Sequence, residues 1–142
     1  MRIVIAPDSF KECLAAEQVA SAIARGWRQA APEDQITEVP LADGGEGTTV
    51  ALTEARKGEL HEVTVTGPLG QPVTARYGLV NDGETAIVEV AEGSGLHCVP
   101  ANERNAMAAS SRGTGELLLA ALAHRPKTLI MGLGGSATTD GG

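Results

Sequence analysis

Three glycines within four positions, Gly44, Gly45 and Gly47, separate an apolar run at residues 36–41 from a helix-like segment that begins near Val50. Glycine tolerates a positive φ and the close approach of other atoms, so this stretch predicts a turn from a strand into a helix. The first N–H groups of a helix have no partner within the helix, and the helix dipole favours an anion there. The stretch therefore predicts an anion-binding loop or, as the simpler alternative, a helix cap on a flexible turn.

Two carboxylates, Asp43 and Glu46, lie inside this first glycine loop, which we define as residues 42–48. Beside a phosphate, carboxylates hold Mg²⁺ or take a proton from an attacking hydroxyl. Further loops of small and polar residues follow strands or open helices at residues 8–11, 110–115 and 132–142. We call residues 132–142 the second glycine loop. Four loops of this kind are more than turn chemistry requires.

The N-terminal part of the chain alternates strand, helix and strand. Residues 2–6 predict a buried strand of a parallel sheet, and the apolar spacing over residues 15–31 predicts a helix. Residues 35–41 predict the second strand. Ligands bind at the carboxyl ends of the strands in such sheets, so residues 8–11 and the first glycine loop can face the same crevice.

The pattern changes after residue 59. Residues 73–79 alternate strictly between apolar and polar, and the sequence Asn81-Asp82-Gly83-Glu84 predicts a hairpin that leads into a strand over residues 85–90. This antiparallel block does not continue the β-α-β pattern. We therefore assign residues 1–66 to the beginning of one domain and residues 67–142 to the beginning of a second.

A helix is predicted over residues 113–124. With Gly113 as the N-cap, Glu116 can form half of a capping box, and the run of leucines and alanines predicts burial on most sides. Residues 128–131 predict a parallel strand, after which the second glycine loop ends the sequence without a following helix. The chain is therefore interpreted as part of a larger protein.

Composition excludes several classes of function. The chain has 142 residues, a net charge of −7 and 2% aromatic residues, which argues against nucleic-acid binding. It has no apolar run long enough for a membrane span and no signal peptide, so a cytoplasmic location is expected. The two cysteines, Cys13 and Cys98, fit no metal spacing and are expected to be free thiols.

The loops suit phosphoryl transfer. That reaction requires amides and cations on the phosphates, carboxylates for Mg²⁺ and a base near the acceptor hydroxyl. Lys11 and Arg112 are the cations inside small-residue loops, although both can equally be solvated loop charges. The chain contains no P-loop motif and no nucleophile-elbow motif.

Several segments together resemble the motifs of the bacterial type I glycerate kinases. They are Ala6-Pro7-Asp8-Ser9-Phe10-Lys11, Ala42-Asp43-Gly44-Gly45-Glu46-Gly47-Thr48, Thr66-Gly67-Pro68-Leu69-Gly70, Ser94-Gly95-Leu96, Ser111-Arg112-Gly113-Thr114-Gly115-Glu116-Leu117, and Gly132-Leu133-Gly134-Gly135-Ser136-Ala137-Thr138 with Asp140-Gly141-Gly142. The resemblance covers all 142 residues in order. Proteins of that family are more than twice as long, so this chain resembles their N-terminal portion.

The resemblance implies an α/β fold in which a flavodoxin-like parallel-sheet domain is interrupted by a second α/β domain with antiparallel strands. It also implies phosphorylation of D-glycerate to a phosphoglycerate with ATP and Mg²⁺ in a site between the domains. Neither the 2- nor the 3-hydroxyl is favoured as the acceptor, and a homodimer is left open.

The resemblance also suggests roles for residues. Asp43 is the base or a Mg²⁺ ligand, Lys11 and Arg112 hold the glycerate carboxylate or the phosphoryl group, and Asp8 completes the catalytic set. The residues predicted to bind substrate or phosphate are Ser9, Gly44, Gly45, Glu46, Gly47, Thr48, Ser111, Arg112, Gly113, Thr114, Gly134, Gly135, Ser136 and Asp140. Metal ligands are not assigned.

The chain departs from the family pattern at Cys13 and Ala15, where serines are usual, and at Thr139, where Asn is frequent. Thr139 adjoins the predicted site and leaves its hydrogen bonding open. Two other hypotheses remain: a non-catalytic module that binds a phosphorylated metabolite, and a folding fragment without activity of its own.

Overall fold

The computed structural model describes residues 1–10 and 13–140. These residues form two compact units, Met1–Asp43 and Gly44–Gly142. Both units combine strands and helices, so the predicted α/β class is confirmed.

The first unit is a strand–helix–strand motif. Strand β1 (Arg2–Ile5) and strand β2 (Gln35–Glu38) pair in parallel with Ile3 opposite Ile36, and helix α1 (Ala16–Ala30) connects them. The predicted parallel pairing and the predicted helix are both confirmed.

Helix α1 covers one face of this two-stranded sheet. Ala20 and Ala24 on α1 are fully buried and pack with Ile5, which is 6% exposed. Val4 is 68% exposed because neighbouring side chains of a strand point to opposite faces. The first strand was predicted to be buried, and this prediction is wrong for the described residues, since only one face of β1 is covered.

The second unit contains four strands and three helices among the described residues. In chain order they are α2 (Thr48–Ala55), β3 (Glu59–Thr66), β4 (Pro72–Val80), β5 (Thr85–Glu89), α3 (Val90–Ser94), α4 (Arg112–Leu122) and β6 (Thr128–Gly132). Two 3-10 turns, Leu96–Cys98 and Ala101–Glu103, lie between α3 and α4.

The four strands form one sheet in the order β3-β4-β5-β6. The first three strands are antiparallel, and β6 is parallel to β5 with Gly132 opposite Glu89. The predicted hairpin between β4 and β5 is confirmed: Asn81 and Asp82 both have φ of 55°, and the N–H of Glu84 donates to the carbonyl of Asn81 at 3.0 Å.

Helix α4 packs one face against this sheet. Leu117 and Ala121 are fully buried in a core that includes Val65 and Val88, whereas Leu119 is 71% exposed. The predicted burial of this helix on most sides is wrong, because only the residues that face the sheet lose contact with water.

The predicted capping box of α4 is also wrong. The N-cap is Ser111 rather than Gly113, so Glu116 lies beyond the first turn of the helix. Its carboxylate instead accepts the N–H of Thr66 at 2.7 Å, and this bond lowers the pKa of Glu116. Glu116 thus ties the end of β3 to α4.

The two compact units meet in sequence between Asp43 and Gly44, whereas the predicted domain boundary lies between residues 66 and 67. Strand β3, before the predicted boundary, pairs with β4, after it. The assignment of these parts to the domains of a longer protein stays a prediction. Both cysteines are free thiols, as expected. No helix among the described residues is long and apolar enough to cross a membrane.

Candidate functional site

The chain segments that follow β1 and β2 run side by side at the carboxyl edge of the two-stranded sheet. The N–H of Val39 donates to the carbonyl of Ile5 at 2.8 Å, and the N–H of Leu41 donates to the carbonyl of Pro7 at 2.9 Å. Asp8 follows Pro7 directly. The structure thus brings together the two loop starts that were expected to face one crevice.

Three of the predicted site residues, Asp8, Ser9 and Asp43, are described residues on these segments of the first unit. Asp8 is exposed, and its Oδ1 accepts the N–H of Ser9 at 2.6 Å. Asp43 is exposed as well. Lys11 lies outside the described residues. The catalytic roles assigned to Asp8, Asp43 and Lys11 stay predictions.

Residues 44–48 form the turn that leads into α2. Gly44 has φ of 98° and Gly47, the N-cap of α2, has φ of 90°, values that glycine adopts without strain. The hydroxyl of Thr48 accepts the N–H of Gly44 at 3.1 Å and donates to the carbonyl of Gly45 at 2.7 Å. The predicted turn from the first glycine loop into a helix is confirmed.

A buried carboxylate from β5 lies at the N-terminus of α2. Glu89 is 1% exposed; its Oε1 accepts the N–H of Gly47 at 3.0 Å, and its Oε2 accepts the N–H of Thr49 at 2.6 Å. Burial raises the pKa of Glu89, and the bonds from Thr49 and Gly47 oppose this rise. From the sequence, this stretch predicted either an anion-binding loop or a helix cap on a flexible turn, and Glu89 was missed. A phosphate cradle cannot use these two N–H groups while they donate to Glu89.

The two glycine loops touch through their backbones. The N–H of Gly134 donates to the carbonyl of Gly44 at 2.7 Å. A Cβ added to Gly134 would lie 2.7 Å from the Cα of Gly45, and one added to Gly132 would lie 2.6 Å from the carbonyl oxygen of Gly44. Ordinary contacts between carbon atoms lie at about 3.5–4.0 Å. Glycine at these two positions is therefore explained by the close approach of two main chains.

The second glycine loop is also held by the segment that follows α3. The N–H of Leu96 donates to the carbonyl of Gly135 at 2.9 Å, and the N–H of Ala137 donates to the carbonyl of Ser94 at 2.8 Å. Ser136 lies between these two bonds and is exposed. The loop is therefore fixed on two sides by main-chain bonds.

The Glu46 carboxylate lies where the two glycine loops meet. Its Oε1 is buried without a hydrogen-bond partner among the described residues, and the Nδ1 of His97 is 3.7 Å away. A Cβ on Gly135 would lie 3.6 Å from the same oxygen. No local pattern in the sequence indicates that residues 46 and 97 lie close together, so His97 could not be assigned to this region from the sequence.

The start of α4 is capped from the second glycine loop. Both carboxylate oxygens of Asp140 accept the N–H of Ser111, at 3.1 and 2.9 Å, and this contact lowers the pKa of Asp140. The Arg112 side chain is 72% exposed, and its Nε donates to Glu116 at 2.8 Å. Arg112 and Asp140, both predicted from the sequence, thus lie at the same helix terminus.

Gly113 and Thr114, the next two residues of α4, both make contacts within the fold. A Cβ on Gly113 would lie 2.0 Å from the carbonyl oxygen of Thr66 and 2.7 Å from that of Gly93. The hydroxyl of Thr114 donates to the hydroxyl of Ser94 at 2.7 Å. These predicted binding residues have structural contacts of their own, and their role in binding stays a prediction.

In the second unit, hydrogen bonds therefore link residues 44–48, 93–96, 110–114 and the second glycine loop. Asp43 belongs to the first unit and Arg112 to the second. No group of three or more His, Cys, Asp or Glu side chains among the described residues is arranged to hold a metal ion. Since Mg²⁺ is usually held by one or two carboxylates together with substrate phosphates, no residue is assigned as a Mg²⁺ ligand.

The comparison with protein families matches residues 3–142 to the model described as the glycerate kinase family. The chain belongs to this family. It is 52% identical over 142 residues to a glycerate kinase of Bacillus subtilis strain 168 and to a glycerate 2-kinase of Escherichia coli strain K12. A crystal structure assigned to glycerate kinase 2 of Salmonella typhimurium LT2 superposes with a TM-score of 0.73 at 51% identity.

These matches cover the whole chain but only part of each relative. The chain spans 37% of the length of the Bacillus and Escherichia proteins and 38% of the Salmonella structure. The predicted resemblance to the N-terminal portion of glycerate kinases is confirmed.

Proposed function

We propose that the protein containing this chain is a glycerate kinase that transfers the γ-phosphoryl group of ATP to a hydroxyl of D-glycerate. The family match over residues 3–142 is the observation that carries this proposal. The linked loops of the second unit support it, because phosphoryl transfer depends on precise positioning of its partners.

In the proposed reaction, a hydroxyl oxygen of D-glycerate attacks the γ-phosphorus, the bond to the β-phosphate oxygen breaks, and ADP leaves. The hydroxyl proton passes to the carboxylate of Asp43, which is exposed on the first glycine loop. Arg112, with an exposed guanidinium, holds the glycerate carboxylate or the phosphoryl group. Lys11 shares this task in the proposal. Mg²⁺ as a cofactor, a cytoplasmic location and a homodimer stay predictions.

The sequence left the acceptor hydroxyl of D-glycerate open. One relative, from Escherichia coli, is named a glycerate 2-kinase. We therefore propose 2-phosphoglycerate as the product. Enzymes specific for 2- and 3-phosphoglycerate distinguish the two products directly.

The proposal is tested on the longest native polypeptide that contains this chain. ADP should form from ATP when D-glycerate is present, and it should not form with L-glycerate or with buffer alone. Absence of turnover with preserved binding of phosphoglycerate would favour the non-catalytic binding module. The 142-residue chain is assayed in parallel, and absence of binding and turnover there would support the folding-fragment hypothesis for the chain alone.

The role of Asp43 is tested by Asp43→Asn, with Asp82→Asn in the β4–β5 hairpin as the matched control. Loss of a general base lowers kcat by about 10²–10⁴-fold. The control should retain kcat, because Asp82 lies in a turn outside the predicted site. If kcat of Asp43→Asn stays within about twofold of the wild-type value, Asp43 is not the base.

A further inference from the structure

We propose that Glu89 is a positioning residue for the first glycine loop, where its buried carboxylate takes the place of a bound anion at the N-terminus of α2. This inference rests on the proposed glycerate kinase function, because the loop carries Asp43 and Glu46. Glu89 itself does not contact substrate in this proposal. It acts through the main chain of the loop.

The contacts of Glu89 are specific for the loop. Both carboxylate oxygens are used, one for the N–H of Gly47 and one for the N–H of Thr49. These are the N-cap and the second residue of α2, two N–H groups that no α-helix can satisfy by itself. Because the two N–H groups bond different oxygen atoms, a glutamine at this position would keep an acceptor for only one of them and would turn its NH₂ group towards the other.

Because Glu89 is buried, its two hydrogen bonds are needed to stabilise the charge of the carboxylate. A carboxylate that is 1% exposed has lost nearly all of its water, so its charge depends on the two N–H donors and on the positive end of the helix dipole. Glu89 ends β5 opposite Gly132, the first residue of the second glycine loop. A single side chain therefore fixes Gly47 and Thr49, where the first glycine loop enters α2, relative to the strand from which the second glycine loop starts.

A further consequence concerns the substrate. Negative charge at the N-terminus of α2 repels a phosphate or a carboxylate at that position. We therefore infer that the substrate anions do not bind to the N–H groups of Gly47 and Thr49. The first glycine loop then contributes side chains, Asp43 and Glu46, rather than the helix terminus that the sequence suggested.

The test compares two buried carboxylates in the longest native polypeptide. Glu89→Gln keeps the shape of the side chain but leaves one N–H facing an amide NH₂ group. Glu92→Gln is the matched control: Glu92 is 5% exposed, and its carboxylate binds Arg76 rather than the glycine loop. Folding of both variants is checked by circular dichroism, and kcat and KM are measured for ATP and D-glycerate.

A misplaced catalytic group lowers kcat, because a displacement of about 1 Å can cost about 10²-fold in rate. We expect Glu89→Gln to lose at least about tenfold in kcat with KM within about threefold, and Glu92→Gln to keep kcat within about twofold. The proposal is overturned if folded Glu89→Gln keeps wild-type kcat. It is also overturned if kcat of Glu92→Gln falls by as much, because the fall would then reflect general destabilisation of the protein rather than the loss of the contact with the loop.

Amide hydrogen exchange in the wild-type protein provides a second measurement that does not depend on the folding of a variant. The N–H groups of Gly47 and Thr49 should exchange slowly, and exchange at the rate of exposed loop amides would refute the contact. If the wild-type protein shows no turnover with D-glycerate, the proposed function fails. The exchange rates still report separately on the anchoring by Glu89.

Discussion

The substitution Gly134→Ala separates two explanations for the second glycine loop. If the glycines serve only to cradle an anion, an added methyl group should change binding and leave stability unchanged. If they allow two main chains to touch, the methyl group should destabilise the fold. The structure favours the second explanation, because the nearest atoms to the added Cβ are the Cα and N of Gly45, at 2.7 and 2.8 Å.

The magnitude follows from these distances. Ordinary contact begins near about 3.5 Å, so the loop must move by about 1 Å. Neither neighbour is the end of a flexible side chain, and the N–H of Gly134 is itself bonded to Gly44. Overpacking of this kind costs about 1–3 kcal/mol, and weakening of the hydrogen bond adds up to about 1 kcal/mol. We expect the free energy of unfolding to fall by about 1–4 kcal/mol.

Urea-induced unfolding followed by circular dichroism measures this change. Gly115→Ala, within α4, is the matched control, because nothing lies within 4 Å of the added Cβ. Since alanine is the better helix former, the control should be more stable by about 0.5–1 kcal/mol. Wild-type stability for Gly134→Ala would refute the argument from close packing. A decrease of equal size for Gly115→Ala would do the same.

Two further predictions concern packing and pH. A Cβ on Gly78 would lie 1.8 Å from the Oγ1 of buried Thr53, so Gly78→Ala should lower the free energy of unfolding by about 1–3 kcal/mol. In a double-mutant cycle, the added substitution Thr53→Ala should recover part of this loss. The pKa of Asp140 is lowered by its bond from Ser111, so its contribution to stability is present above pH 3.8, the ordinary pKa, and is lost as the pH falls through the lowered value. Asp140→Asn should abolish this part of the acid dependence, and an unchanged pH profile in acid denaturation would show that the bond does not form in solution.

Local patterns in the sequence determined much of the fold. Apolar spacing located α1, the alternation over residues 73–79 located β4, and the Asn81-Asp82-Gly83-Glu84 turn predicted the hairpin. These features depend on neighbouring residues alone, since helix and strand periods and turn preferences are set within a few positions. The order and spacing of the glycine motifs likewise indicated the family.

Only the tertiary structure decided which side chains accept the free N–H groups at the helix N-termini. Glu89 reaches Gly47 across 42 positions, and Asp140 reaches Ser111 across 29, so no local pattern could assign either carboxylate to its helix terminus. From the sequence, an empty helix N-terminus and one already bound by a distant side chain look the same. The partner depends on which strands lie side by side, and the pairing of β5 with β6 is set by packing over the whole sheet.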